Sequence, residues 1–391
     1  MSRGAATARH MRPPRVVMLG PAPDARGGIA SVVTAYRDTG LLARWGVSVI
    51  ATHADASTLS KLGVATRALL RFAPQVLSHQ IDLVHVHVAS DASFWRKLPF
   101  CALTRLAAVP LIVHVHGGGF AAFHAQGGPV RRAAIAWMLR HATAVAALSP
   151  RWAARLAPLA GATPITVLPN PLPAQATAPA APRRASALQV AAPQLVFLGL
   201  LCEAKGVFDL LDAFVDVLRR HPHARLVLAG NGDVAGAQQR AQALGIAANV
   251  DTPGWVHGPA KADLLAGATV FVLPSHAEGV PMSILEAQNL GVAVLATDVG
   301  GVPDIVDHGV HGWLVPPQQP LALAEGINRL LDDPALRARL AASGCARARS
   351  ESLSEVVMAR VEGLYAQLLG QVAAAALPVT VAQTSHRPTS G

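Results

Sequence analysis

Hydrophobic positions in the first half of this chain form short continuous runs, and stretches with helical periodicity separate them. The runs are rich in β-branched residues and lack alternation with polar positions, which predicts fully buried strands. The predicted strands are Val16–Leu19, Val47–Ala51, Leu83–His87, Leu111–His116, Ala144–Leu148 and Ile165–Leu168. Helices are predicted between them, for example at Leu59–His79 and Val130–His141. Buried strands that alternate with helices indicate a parallel sheet covered on both faces.

A second series with the same alternation begins after residues 173–193, which are rich in proline and alanine and predict a linker. Its predicted strands are Leu195–Gly199, Arg225–Ala229, Thr269–Leu273 and Val292–Ala296. Its predicted helices are Phe208–Arg220, Ala260–Ala266, Met282–Leu290, Pro320–Leu331, Pro334–Arg347 and Leu353–Leu369. The pattern predicts an α/β protein with two Rossmann-like domains that face each other across a cleft at the carboxyl ends of their strands.

The domain boundaries follow from these two series and from the composition of the ends. We predict an N-terminal domain at 15–172, a C-terminal domain at 194–350 and a C-terminal helix at 351–371. The segments 1–14 and 372–391 contain no periodic apolar pattern and are predicted to be disordered.

Charge is distributed unevenly along the chain. The net charge is +10, and residues 15–172 contain 15 Lys or Arg, five Asp and no Glu. This asymmetry indicates a polyanionic partner, either membrane lipid or nucleic acid, unless it reflects only a generally basic surface. Because no aromatic and basic platform or known nucleic-acid module accompanies it, no nucleic-acid partner is expected.

Two predicted helices of the basic half are candidates for contact with an anionic membrane surface. Val130–His141 carries three arginines beside apolar side chains, and Leu59–His79 carries further basic residues. A basic amphipathic helix of this kind can lie at a membrane interface. The residues concerned are Arg131, Arg132, Arg140, Ile135, Trp137, Met138, Lys61, Arg67 and Arg71.

Cysteine usage and the N-terminal residues bear on the compartment. The three cysteines are far apart and form no CxxC motif, which fits a reducing compartment. Residues 1–15 carry charge without an apolar core, so no secretory signal is expected there. The longest apolar candidate for a membrane span, 98–115, is interrupted by Arg105 and Pro110. We therefore expect a cytoplasmic protein, with peripheral attachment to the inner face of the plasma membrane as the membrane-bound form.

Two carboxylates around a predicted helix start form the main chemical candidate. Glu278 follows a buried strand in a short polar loop, Pro281 suits the first position of a helix, and Glu286 lies about a turn and a half along it. Backbone N–H groups between the carboxylates lie at the positive end of the helix, which favours an anion such as phosphate. These N–H groups belong to Gly279, Val280 and Met282. Sugar hydroxyls, a diphosphate and a ribose would complement such a pocket.

Two segments at strand ends of the first half are further candidates. Gly28, in a Gly-Gly pair after the first strand, lets backbone approach a phosphate or a sugar. His116 ends the fourth strand beside a glycine-rich loop. His85, His87 and His114 are either buried core histidines or, together with His116, a metal cluster. Because no acidic ligand motif accompanies them, no metal is expected.

Further candidates follow the strands of the second half. Lys205 is either a solvated loop lysine or a partner for a departing diphosphate. Trp255 and Val256 lie where a nucleobase could rest, although a tryptophan is more often part of a core. The paired glycines Gly300 and Gly301 follow another strand. Their common position after successive strands predicts one shared cleft.

The stretch from Leu273 to Pro316, LPSHAEGVPMSILEAQNLGVAVLATDVGGVPDIVDHGVHGWLVPP, resembles the retaining glycosyltransferases of family four, which have the GT-B fold. The resemblance extends from Val16 to about Leu369 and implies a C-terminal helix that crosses back to the N-terminal domain. It implies that Glu278 contacts the donor sugar and that Glu286 contacts the nucleotide ribose. Backbone contacts are implied for Gly279, Val280 and Met282.

The same resemblance implies roles for residues outside that stretch. Gly28 matches the N-terminal glycine loop, His116 the active-site histidine, and Lys205 the diphosphate-binding lysine. Trp255 and Val256 match the segment that contacts the base. These residues, with those of the Glu-x7-Glu segment, make up the implied donor site.

The chain departs from the family pattern at Leu200, where an arginine normally follows Gly199 and shares the diphosphate. Loss of one such donor lowers the rate on the order of a hundredfold or more. A milder departure is Asp304, where the family commonly has glutamate.

The resemblance predicts a metal-independent hexosyltransferase without a cofactor. Its substrates would be a UDP- or GDP-linked sugar and a lipid-linked or other saccharide acceptor of exopolysaccharide or lipopolysaccharide synthesis. The alternatives are a non-catalytic binding component of a polysaccharide assembly complex and a sugar-nucleotide epimerase or hydrolase on the same fold.

Overall fold

The computed structural model describes residues 14–22, 27–53, 58–116, 119–172 and 192–370. Most of the predicted linker, residues 1–13 of the first predicted disordered tail and the whole of the second lie outside these residues. Within them, no helix is both long enough and apolar enough to cross a membrane.

The N-terminal half forms a six-stranded sheet in the order β2-β1-β3-β4-β5-β6, and every pairing in it is parallel. The chain order switches between β1 and β3, so the carboxyl ends of these two strands flank a crevice. The elements are β1 Val16–Pro21, α1 Gly28–Asp38, α2 Leu41–Arg44, β2 Ser48–His53, α3 Thr58–Leu77, β3 Leu83–Val88, α4 Ala92–Leu106, β4 Leu111–Val115, α5 Phe120–Ala125, α6 Pro129–Arg140, β5 Ala144–Ala147, α7 Pro150–Ala160 and β6 Ile165–Val167.

The C-terminal half forms a second parallel sheet in the order β12-β11-β10-β7-β8-β9, with its switch point between β10 and β7. Its elements are β7 Gln194–Leu198, a 3-10 turn Glu203–Lys205, α8 Val207–Arg220, β8 Arg225–Ala229, α9 Val234–Ala243, a 3-10 turn Ala247–Asn249, β9 Val250–Gly254, α10 Gly258–Gly267, β10 Val270–Leu273, α11 Met282–Asn289, β11 Ala293–Thr297, α12 Val302–Ile305, β12 Trp313–Val315, α13 Pro320–Asp332, α14 Pro334–Ser352 and α15 Ser354–Leu368.

The final helix, α15, returns to the N-terminal half of the chain. Tyr365 is fully buried there, and its hydroxyl lies 2.8 Å from Nδ1 of His85 on β3. Glu362 pairs with Arg44 of α2 at 2.7 Å. Leu172 and Ser352 share a backbone hydrogen bond of 2.7 Å where the chain passes between the halves. The predicted crossing helix is therefore confirmed.

The structure confirms the predicted α/β architecture and shifts the strand ends by one or two residues. Two edge strands were missed. β9 carries Asp251 and Pro253, and β12 has three residues, so neither forms a long apolar run. Pro281 was expected at the first helical position, whereas it is the N-cap of α11, with a ψ of 123°. Its extended ψ keeps it outside the helix, which therefore begins at Met282.

Candidate active site

Glu278 lies in the loop between β10 and α11 and is 8% exposed. Its Oε1 accepts a hydrogen bond from the hydroxyl of Ser275 at 2.7 Å and pairs with the Lys205 ammonium at 2.5 Å. The residue after Lys205, Gly206, has a φ of +66°. A Cβ on Gly206 would lie 2.0 Å from the Pro274 carbonyl oxygen, so the close approach of the two loops requires glycine.

The glycine pair after β11 supports the backbone of the Glu278 loop. Gly301 donates its N–H to the Glu278 carbonyl at 3.3 Å. Gly300 has a φ of +56°, and a Cβ on it would lie 1.9 Å from the same oxygen. These two residues therefore hold the loop in place, and the close contact excludes a side chain at position 300.

Glu286, on α11, is 2% exposed, and both of its carboxylate oxygens lie 2.7 Å from the ammonium of Lys261 on α10. Burial raises the pKa of Glu286, and Lys261 opposes that effect. The Lys261 side chain is 29% exposed, so the pair lies at the edge of the core. A ligand with vicinal hydroxyls could share the carboxylate with Lys261.

The N-terminal half contributes to the same place from the opposite side. Gly28 begins α1, and a Cβ on it would lie 4.0 Å from Cγ of Met282, the first residue of α11. The side chain of Asn170 donates to the Val280 carbonyl at 2.9 Å. Asn170 also interacts with the side chain of His116. These contacts bring the predicted residues of both domains to one cleft.

The four histidines of β3 and β4 lie side by side on one face of the sheet. His85, His87 and His114 are fully buried, and His116, just after β4, is partly exposed. Nδ1 of His87 lies 2.7 Å from Nε2 of His116, and Nε2 of His85 lies 3.3 Å from Nδ1 of His114. Burial lowers the pKa of each of the four, and that of His114 falls to about 3. At neutral pH the cluster is uncharged.

Three of these histidines also meet a distance criterion for a metal site. One ring nitrogen each of His85, His87 and His114 lies within 4.8 Å of the others. The rings of His85 and His87 stack with an angle of 23° between their planes, and those of His85 and His114 with 15°. Rings around a tetrahedral ion instead point toward a common centre. The arrangement fits a hydrogen-bonded stack of neutral imidazoles.

The two halves are also joined beside the glycine pair of β11. Ser149, the N-cap of α7, donates its hydroxyl to Asp304, and Arg151 pairs with the same carboxylate at 3.4 Å. Arg155 donates to the Gly300 carbonyl at 3.2 Å. Asp304 is 8% exposed, so this ion pair is partly shielded from water. The contact joins α7 to the loop that supports Glu278.

The remaining predicted residues have distinct surroundings. Gly279 and Val280 continue the loop after Glu278, and the Val280 side chain is buried, which leaves only its backbone for a ligand. Trp255, predicted with Val256 to contact the base, is 42% exposed after β9, so the alternative of a core residue does not hold for it, while Val256 packs against the core. Leu200 is 53% exposed after β7.

Several residues of the site were not found from the sequence. They are Asn170, Lys261, Ser275, Ser149, Arg151 and Tyr365. Only Ser275 had a local signal, because it lies three residues before Glu278 in a loop that positions a carboxylate. The others are far in sequence from the groups they contact.

The structure corrects the prediction for the α6 surface. Ile135 and Met138 are fully buried in the core, so these apolar side chains are not available to a bilayer. Exposed apolar side chains lie instead on the packed helices α3 and α4 and at the start of α6. They are Leu70 at 70%, Leu77 at 47%, Trp95 at 43%, Leu106 at 76% and Val130 at 75% exposure.

Comparison with known families and proteins covers both halves. Residues 181–347 match the family model described as Glycosyl transferases group 1, and residues 5–171 match that described as Glycosyl transferase 4-like domain. An uncharacterized glycosyltransferase of Methanocaldococcus jannaschii is 35% identical over 39% of this chain and 39% of its own length. The phosphatidyl-myo-inositol mannosyltransferase of Mycobacterium tuberculosis is 34% identical over 45% of this chain and 47% of its own length. The chain thus spans about half or less of these relatives.

Solved structures share the architecture over nearly the whole chain. Sucrose-phosphate synthase from Thermosynechococcus elongatus has a TM-score of 0.78 and 22% identity, with 91% of this chain and 99% of that chain covered. HepE of Anabaena, in complex with UDP and glucose, has a TM-score of 0.68 and 20% identity, with 90% and 99% covered. At these identities the likeness establishes the two-domain fold.

Proposed function

We infer that the chain belongs to the group 1 glycosyltransferases of GT-B fold, because family models match both of its halves. We propose that it transfers a sugar from a UDP- or GDP-linked donor to a saccharide acceptor, with retention at the anomeric carbon. One observation carries the proposal. Glu278, held by Lys205 and Ser275, precedes the N-terminus of α11, and Glu286 follows on the same helix. The acidic groups suit neutral hydroxyls, and the helix end between them suits a diphosphate.

The proposed chemistry depends on charge placement rather than on a strong base. The bond between the anomeric carbon and the diphosphate oxygen breaks while the acceptor hydroxyl forms a bond on the same face. The hydroxyl proton passes to a phosphate oxygen of the leaving group. Lys205 and the N–H groups at the start of α11 stabilise the negative charge that develops there.

A metal-independent reaction fits this arrangement, since Lys205 and the helix end occupy the electrostatic role of a divalent cation. His116 would lie near the donor sugar, and its lowered pKa makes it a neutral hydrogen-bonding partner at pH 7. Gly28 leaves space for the ligand opposite Met282. Closure of the domains excludes water and limits hydrolysis of the donor.

The donor is tested by thermal unfolding against a panel of nucleotide sugars. A bound donor at a hundred times its Kd stabilises the protein by about 2.7 kcal/mol and raises its Tm. The Glu286→Gln variant should lose most of that shift, whereas Arg225→Gln, at an exposed pair with Asp251, should retain it. If no nucleotide sugar raised the Tm of the wild-type protein, the proposal would be refuted.

A second function, a non-catalytic sugar-nucleotide-binding component, is favoured by one observation. Leu200 stands where the family has an arginine, and its side chain is exposed at the carboxyl end of β7. Without that cation, the charge of the leaving group depends on Lys205 and the helix end. Donor binding without product formation over a range of saccharide acceptors would support this function over transfer.

We further propose that the acceptor is lipid-linked and that helices α3 and α4 dock on anionic lipid. Arg67 and Arg71 are exposed on α3 beside Leu70, and Trp95 and Leu106 are exposed on α4. Exposed basic and apolar side chains on two packed helices suit the interface of an anionic membrane. Co-sedimentation with phosphatidylglycerol vesicles at low salt should fall in Arg67→Gln/Arg71→Gln. Equal sedimentation of the two proteins, or none by the wild type, would exclude this surface.

A further inference from the structure

The buried histidines connect the C-terminal helix to the catalytic cleft. We call His85, His87, His114 and His116 the histidine ladder. His85 and His87 lie on β3, His114 lies on β4 directly opposite His87, and His116 follows the end of β4. One end of the ladder meets Tyr365 of α15, and the other end, His116, lies beside Asn170 at the cleft.

The direction of the hydrogen bonds follows from the buried phenol. Burial raises the pKa of Tyr365 well above its usual value, so the hydroxyl keeps its proton. A buried hydroxyl without an acceptor costs free energy, so its proton is donated where an acceptor lies within reach. The acceptor at 2.8 Å is Nδ1 of His85, which is therefore unprotonated, and the proton of that neutral ring lies on Nε2.

The same reasoning fixes the next ring. Nε2–H of His85 faces Nδ1 of His114 at 3.3 Å and donates to it. His114 then carries its proton on Nε2. That nitrogen has no hydrogen-bond partner among the described residues, but the reverse direction of both bonds would leave the Tyr365 proton without an acceptor as well. A single hydroxyl on the C-terminal helix thus sets the tautomers of two buried histidines.

We propose that Tyr365 is a positioning residue for His116, acting through His85 and His114. The ring centroids of His114 and His116 are 4.0 Å apart, so the orientation of His114 limits that of His116. This inference rests on the proposed function, in which His116 lies near the donor sugar. It gives the returning helix α15 a part in catalysis besides its packing against the N-terminal domain.

The chain contains a matched control for this residue. Tyr36, on α1, is also fully buried and lies against the same ladder, with ring centroids 6.5 Å from His85 and 6.0 Å from His87. Its hydroxyl has no hydrogen-bond partner among the described residues. Tyr365→Phe and Tyr36→Phe therefore remove the same atom from the same environment, and only the first breaks a bond to the ladder.

Two measurements test the proposal. The first is steady-state transfer, in which Tyr365→Phe should lower kcat about threefold to tenfold, the usual effect of one hydrogen bond. KM for the donor should stay unchanged, because Lys205 and Glu286 belong to the other domain. The second is the two-bond proton–nitrogen spectrum of histidine-labelled protein, which distinguishes the two neutral tautomers. Signals of His85 and His114 are assigned from His85→Asn and His114→Asn.

The expected result is an Nε2–H tautomer for both rings in the wild type and in Tyr36→Phe, and a mixture of tautomers in Tyr365→Phe. The same spectra in all three proteins, or an equal kcat for Tyr365→Phe in an active enzyme, would overturn the proposal. A stoichiometric metal ion in the purified protein, whose removal shifts these signals, would also overturn it. If no donor is turned over, the proposed function fails, while the spectra still decide the tautomers.

Discussion

The pair formed by Lys205 and Glu278 gives the most direct test of the site. Removing one member of a fully buried ion pair costs about 3–5 kcal/mol because the other charge remains unpaired. Glu278 is 8% exposed but the Lys205 side chain is 29% exposed, so water screens part of the interaction. Ser275 also remains as a donor to the carboxylate. For Lys205→Met we therefore expect a loss of about 1–2 kcal/mol in the free energy of unfolding.

Lys205→Met should lower the catalytic rate by more than its loss of folding stability can explain. In the transition state Lys205 would also stabilise the leaving diphosphate, and removal of one such donor lowers kcat about 10²–10³-fold. The assay is nucleotide release in the presence of acceptor, at donor concentrations that separate kcat from KM. A fall in kcat that exceeds the rise in KM is expected, because the interaction strengthens as the bond breaks.

A double-mutant cycle separates the structural part of this effect. Urea unfolding of Lys205→Met, Glu278→Gln and the double variant should give a coupling of about 1 kcal/mol. The matched control is the exposed pair Arg225–Asp251, whose side chains are 49% and 50% exposed and whose coupling should be about 0.5 kcal/mol or less. Equal coupling at the two pairs, or turnover of Lys205→Met within twofold of the wild type, would refute the reasoning.

Three further predictions concern the loops and the second carboxylate. Gly300→Ala should abolish donor binding, because its Cβ would displace the Glu278 carbonyl. The control Gly309→Ala, at a φ of +74° in open space, should keep donor binding and lose only about 1 kcal/mol in the free energy of unfolding. Equal loss of donor binding in the two variants would contradict this. Burial raises the pKa of Glu286 above 4.5, so its stabilising contribution is present below pH 4.5 and is lost as the pH rises through the folded pKa. Glu286→Gln should therefore gain stability relative to the wild type between pH 4 and 7 in urea titrations, and a constant difference would exclude this. Leu200→Arg should raise kcat if the cation is missing, and an unchanged rate would show that another group fills its place.

Much of the architecture could be predicted from the pattern of neighbouring residues along the chain. Continuous apolar runs such as those of β3 and β10 can only be buried between two layers, and helical segments between them require parallel strands. The position of Glu278 in a loop and of Glu286 on the following helix also followed from a strand, a proline and helical periodicity. Edge strands are less apolar because one side faces solvent or a loop, which explains why β9 and β12 were missed.

Partners distant in the sequence could not be predicted. Lys261 on α10 meets Glu286 on α11 only in the folded structure, and no spacing rule connects the two residues. The face of α6 was misjudged for a similar reason. An amphipathic helix has the same pattern whether its apolar side packs on a sheet or on a membrane, and here Ile135 and Met138 complete the core.

The sequence alone therefore determined the two α/β halves, the order of most strands and helices, and the candidate segment around Glu278. Only the tertiary structure decided which cation faces each carboxylate, how Asp304 joins the halves, and that Tyr365 meets His85. The physical reason is that secondary structure depends on neighbours along the chain, whereas ion pairs and buried hydrogen bonds depend on packing between elements far apart in sequence.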